Sequence, residues 1–153
     1  MELFINAVLT ASSVVLFVYW FRYGCLLILA AETAHDYSEA VARANRLSFP
    51  EVRSLLRKRE AADLDCLHQG LERDFAVITY LLAHTPVAGF DTGFEDAMLT
   101  LHFRAMSACF HLTRGRLRRF AADALEEMSL VVAHLANEMG GRRGSDAGVS
   151  CPL

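Results

Sequence analysis

The chain has 153 residues, a formal net charge of −3 and 54% hydrophobic residues. That length suffices for one modest domain, and the slightly acidic balance excludes the broad basic footprint of a nucleic-acid binder. Cys25, Cys66, Cys109 and Cys151 are far apart and form no C-x-x-C pair, the pattern of scattered reduced thiols rather than of a zinc ribbon or disulfide scaffold.

From Leu3 to Phe21 the chain is apolar apart from Asn6, Thr10, Ser12 and Ser13. A bilayer core needs roughly 20 apolar helical residues, so residues 1–22 are predicted to be a transmembrane anchor. Small hydroxyls are tolerated there because they bond back to the helix. Tyr19, Trp20, Arg22 and Tyr23 cluster at its end, where amphipathic rings and a guanidinium favour the headgroup zone. Glu2 is the only charge before the span, while Arg22, Arg43 and Arg46 follow it; the positive-inside rule places the N-terminus outside and the remainder in the cytoplasm. The Met-Glu start lacks the basic residues of a cleaved signal peptide.

Beyond the span, Leu26, Ala30, Thr33, Tyr37, Ala40, Ala44 and Leu47 recur every three to four residues, which predicts a continuous helical stalk to about Arg46. Ser48-Phe49-Pro50-Glu51 reads as a capping box opening a short helix to about Arg59. A helix over 60–84 follows, with Leu64, Leu67, Leu71, Phe75, Ile78 and Leu82 on one face. Thr85-Pro86 stops it, and Thr92-Gly93-Phe94-Glu95 is a second capping box opening a helix over 92–113. The last predicted helix covers 117–139, with Leu117, Ala121, Ala124, Met128, Val131 and Leu135 inward. Gly140 and Gly141 end it, and residues 140–153 are predicted to be a disordered tail. The expected fold is all-α: a single N-terminal transmembrane helix continuing, over residues 23–139, into an antiparallel cytoplasmic helical bundle.

Glu32-Thr33-Ala34-His35 has the E-x-x-H spacing of carboxylate-bridged metal bundles, and Asp65-Cys66-Leu67-His68 is a near variant. At about 100° per residue, Glu32, His35 and Asp65 fall away from the predicted core stripes, so the default reading is solvated faces. His102 and Cys109, seven apart, share one flank of the 92–113 helix, while His111 points elsewhere. With His68 from a neighbouring helix, His102 and Cys109 are the candidate ligands of a haem or metal, although zinc sites usually show tighter pairs. Catalytic motifs are absent: no nucleophile–base pair, phosphate loop or metalloprotease helix is legible.

The 92–113 helix carries two apolar stripes. Phe94, Met98, Leu101, Ala105, Ala108 and Leu112 are assigned to the core face. Leu99, Phe103, Met106 and Phe110 lie nearly opposite and are the expected partner interface, the alternative being that the helix is buried on both sides at the bundle's centre. Arg114, Arg116, Arg118 and Arg119 form a basic turn suited either to helix-end carbonyls or to anionic lipid headgroups. The function expected from these features is non-catalytic. It is a single-pass membrane interaction protein, an accessory subunit or oligomerising scaffold, whose partners are the bilayer and another protein or a second copy. No cofactor is required by it and no nucleic acid is expected; the alternative is the cofactor-binding bundle.

Overall fold

The computed structural model describes residues 1–30, 36–58, 63–84 and 92–148. Among the described residues there are six helices and no strand: α1 (Glu2–Ala30), α2 (Ser38–Asn45), α3 (Phe49–Lys58), α4 (Leu64–His84), α5 (Thr92–Thr113) and α6 (Arg118–Gly148). The chain divides into two compact units, Met1–Glu32 and Thr33–Leu153.

The first unit is α1. At 1.5 Å per residue its length is about 43 Å, and it is long and apolar enough to cross a membrane. Thr10 Oγ1 donates to the Asn6 carbonyl at 2.8 Å, the back-bond expected of a hydroxyl on an apolar helix. Tyr19 and Tyr23 stack with ring centroids 6.5 Å apart, and Trp20 meets Tyr23 edge-on at 6.2 Å. Helical spacing thus gathers the three rings on adjoining turns beside Arg22.

The stalk is not one continuous helix. Asp36 and Tyr37 are outside helical structure and α2 begins only at Ser38. Asp36 Oδ1 accepts the Ser38 backbone N–H at 2.9 Å, which offers the chain a local alternative to helical bonding. The Ser38 hydroxyl and N–H also hold the Asp36 carboxyl below the usual carboxylate range. Asn137 Oδ1 of α6 takes the Tyr37 N–H at 2.7 Å, fixing the entry to α2. Residues 31–35, including the Glu32/His35 pair, lie outside the described residues, as do 85–91 and 149–153.

Arg46 closes α2 in the left-handed region at φ 53°, and the Leu47 N–H reaches back to the Ala42 carbonyl at 2.9 Å. This is a Schellman-type end, usually made by glycine. A side chain in that conformation costs about 1–2 kcal/mol, part of which glycine returns through its larger unfolded-state entropy. Arg46→Gly is therefore expected to stabilise the second unit by about 0.5–1 kcal/mol, read as a higher urea midpoint at unchanged slope.

The α3 start differs from the expected capping box. Ser48 Oγ does not turn back to its own helix; it donates to Asp74 Oδ2 of α4 at 2.9 Å. The same oxygen accepts the backbone N–H groups of Ser48 (2.5 Å) and Phe49 (2.8 Å). A buried carboxylate is a stronger acceptor than a hydroxyl and suits the positive end of a helix, so it displaces the local cap. Gly70 permits the approach: a Cβ there would lie 3.1 Å from Ser48 Oγ. Helix α4 begins at Leu64 rather than Glu60. Its cap is Asp63, whose Oδ1 accepts the N–H groups of Asp65 (3.0 Å) and Cys66 (3.2 Å).

Helix α6 is the element on which α2, α3, α4 and α5 all pack. The expected inward residues Ala121, Ala124, Met128, Val131 and Leu135 are buried, but so are Leu125, Val132, Ala136 and Met139. The buried surface therefore wraps much of the helix, as in an element covered from several sides. Leu117 precedes α6 and is exposed, contrary to its inward assignment. Gly140 and Gly141 do not end the helix, which runs to Gly148. A Cβ at Gly140 would overlap the Cβ of Tyr37, so this glycine is a notch for α2 and not a terminator. Nothing lies within 4 Å of a Cβ placed at Gly141.

Candidate functional site

The two stripes of α5 are exchanged relative to the sequence reading. Leu99, Phe103 and Phe110 are buried and Met106 is half-buried. They belong to the core and are not available as a contact surface. Phe94, Leu101 and Leu112, assigned to the core, are 73%, 57% and 84% exposed; Ala105 and Ala108 are exposed too, and Met98 is half-buried. The physical reason is size and period. The inner set is Leu99, His102, Phe103, Met106 and Phe110, a broad stripe at helical spacing with two large rings. The outer set repeats at steps of 4, 3, 4, 3 and 4, the narrow two-in-seven pattern of a coiled-coil seam. The rings are needed because α4 and α5 lean on α6 and meet each other through long side chains. Phe75 stacks on Phe103 with centroids 4.0 Å apart and planes 6° from parallel. Glu72, Thr79, Arg104 and Ser107 border a cavity of about 380 Å³ over this pair.

At one end of the same contact lies a polar cluster. His68 of α4 is buried, its ring stacked on Phe110 at 4.5 Å and set edge-on to His111 at 4.8 Å. His68 Nε2 is 2.9 Å from Ser107 Oγ and 3.6 Å from Glu72 Oε1, and Ser107 Oγ donates to Glu72 Oε1 at 3.3 Å. Because the serine proton goes to Glu72, its oxygen accepts from His68, which assigns the Nε2-protonated tautomer from the network. Burial holds the His68 imidazole below its ordinary pKa; Glu72 opposes that effect and His111 adds to it, so the ring is neutral at pH 7. Serine and carboxylate share one ring nitrogen, which is not the arrangement of a catalytic triad, where they occupy opposite nitrogens.

His68, Glu72 and His111 each offer a ligand atom, and these atoms all lie within 4.8 Å of one another. His102 and Cys109 are not part of this group. His102 is buried with Nε2 3.3 Å from Glu127 Oε2 of α6, and Cys109 is half-buried. The expected trio of His102, Cys109 and His68 is thus split, and among the described residues His68 is the one of the three that belongs to a cluster of three ligand-type side chains. Glu72 and His111 were missed for separate reasons. Glu72 is four residues from His68, a spacing that invites a shared face, but it stands on a solvated flank. His111 drops out of the sequence reading because it does not share the flank of His102 and Cys109.

Acidic side chains stand near part of the basic turn. Arg114 Nη1 pairs with Asp65 Oδ1 at 2.6 Å. Arg118 and Arg119 share a cleft of about 750 Å³ with Arg57, Asp123 and Glu126. Three guanidinium groups and two carboxylates line that cleft, and Arg116 is exposed.

No family model, curated protein or solved structure matches the chain.

Proposed function

We propose that this is a single-pass membrane interaction protein whose helical unit self-associates through the outer face of α5. In this reading α1 spans the bilayer, with Tyr19, Trp20, Arg22 and Tyr23 at the headgroup level. The following arginines keep the helical unit, an antiparallel bundle around α6, in the cytoplasm. The single observation that carries the reading is an exposed apolar seam on a helix already buried on its other side. The chain is assigned no catalysis.

The proposed occupant of the seam is a second copy of α5, running antiparallel. The steps 4, 3, 4, 3, 4 read the same in both directions, so a two-fold axis on the outer face midway between Leu101 and Ala105 sets Phe94 against Leu112, Met98 against Ala108 and Leu101 against Ala105. Each pair joins a larger residue to a smaller one, which fills space evenly. A parallel pairing would set Phe94 on Phe94 and Ala105 on Ala105, crowding one end and leaving voids in the middle.

Leu101→Arg tests this without touching the core, because Leu101 is exposed. The native chain in mild detergent is expected to have the mass of a dimer, and the variant that of a monomer with unchanged helicity. A monomeric native chain, or a variant that stays dimeric, defeats the proposal.

A further inference from the structure

We propose that His68, Glu72 and His111 form a binding site for one zinc-class divalent ion, held by three protein ligands with a fourth position open to water. The donor set is two imidazoles and one carboxylate. It suits zinc and its borderline neighbours and discriminates against calcium and magnesium, which prefer oxygen throughout. The spacing fits. Bonds of about 2.0–2.2 Å at tetrahedral angles separate neighbouring ligand atoms by roughly 3.3–3.5 Å. His68 Nε2 and Glu72 Oε1 stand 3.6 Å apart, and the full trio lies within 4.8 Å.

Glu72, His111 and the Ser107 hydroxyl must move, and His68 need not. His68 is fixed by its stack on Phe110, whereas Glu72 and His111 are exposed and reach the common point by small side-chain rotations. The ring is already neutral, so binding needs no loss of charge from His68. Its proton passes from Nε2 to Nδ1, and the Nε2 lone pair faces the ion. Ser107 Oγ, which now accepts the Nε2 hydrogen bond at 2.9 Å, gives up that position to the ion, and after turning away it can still donate to Glu72 from outside the ligand set. The ion would add a bond between α4 and α5, which already meet through Phe75–Phe103 and His68–Phe110. With three protein ligands and a water, the site has the composition of an open centre and not of a closed four-ligand structural one.

The full chain in detergent, stripped of metal, is titrated with zinc(II) against a chromophoric chelator and separately with cobalt(II). The proposal expects one equivalent bound. Cobalt should give visible d–d absorption without a thiolate-to-metal charge-transfer band, since Cys66 and Cys109 are outside the ligand set. His111→Ala is expected to weaken zinc binding about 100-fold and Glu72→Gln about 10-fold or more, by analogy with the sensitivity of metal sites to lost partners. His84→Ala should leave it unchanged. Glu72 and His111 are exposed, so helicity is retained, and if one variant lost it the other decides. Absence of stoichiometric binding, a thiolate band, or full affinity in His111→Ala overturns the site.

Discussion

Asp74→Ala is expected to destabilise the Thr33–Leu153 unit by about 3 kcal/mol. Three donors converge on Asp74 Oδ2: Ser48 N–H, Ser48 Oγ and Phe49 N–H. Arg73 Nη2 stands 3.4 Å from the other oxygen. Hydrogen bonds to a charged partner contribute about 1.5–3 kcal/mol each, less than additively when they share an acceptor. Alanine also strips the first turn of α3 of its cap and leaves its N–H groups buried without one. Asp74→Asn keeps an acceptor oxygen but loses the charge that suits the helix N-terminus, so its cost should be smaller, about 1–2 kcal/mol. Urea unfolding followed by helicity distinguishes the two. If Asp74→Ala lies within 1 kcal/mol of the native chain by that measure, the carboxylate is not what holds α3 to α4.

In the Leu101→Arg background, where the α5 seam is unpaired, Phe110→Ala is expected to cost about 3–5 kcal/mol, while Leu112→Ala, two residues away, changes stability by no more than about 0.5 kcal/mol. Phe110 is fully buried and carries the His68 ring, so truncation opens a cavity and removes the stack. Leu112 is 84% exposed, so its removal opens none. Measuring both in the same denaturant series settles which face of α5 is the inner one. Equal costs would mean that the helix is buried on both sides, and a reversed order would restore the face first expected from the sequence.

The helical character of the chain and the long apolar N-terminal segment were legible because both rest on local pattern: run length for α1 and three-to-four spacing for α3 through α6. The inner residues of α4 and α6 were largely readable for the same reason, since each has one dominant stripe. Helix α5 was not, because two stripes compete and the choice depends on where α6 lies, which no local pattern encodes. The contrast of Phe103 and Phe110 with Ala105 and Ala108 was the available clue: large rings bridge a gap between helices that alanine cannot. Gly140 shows the converse limit. Read locally it is a helix breaker, while in the structure its missing side chain admits Tyr37. The caps at Asp63 and Asp74 escaped notice for different reasons. The first is a boundary three to four residues from its expected place, and the second is supplied from another helix altogether. The polar cluster at His68 was half legible: the histidine stood out, but its companions depend on the rotation of α5.

Because α2, α3, α4 and α5 all rest on α6, and α6 follows them along the chain, the order of synthesis matters. A ribosome adding about 5–20 residues per second takes roughly 2–6 s to make the 31 residues of α6. Throughout that interval the preceding helices lack the surface that buries them. Phe103 and Phe110 then have only Phe75 and His68 of α4 to pack against. The nascent chain therefore shows chaperones two apolar faces on α5, and only the arrival of the last helix reduces them to one.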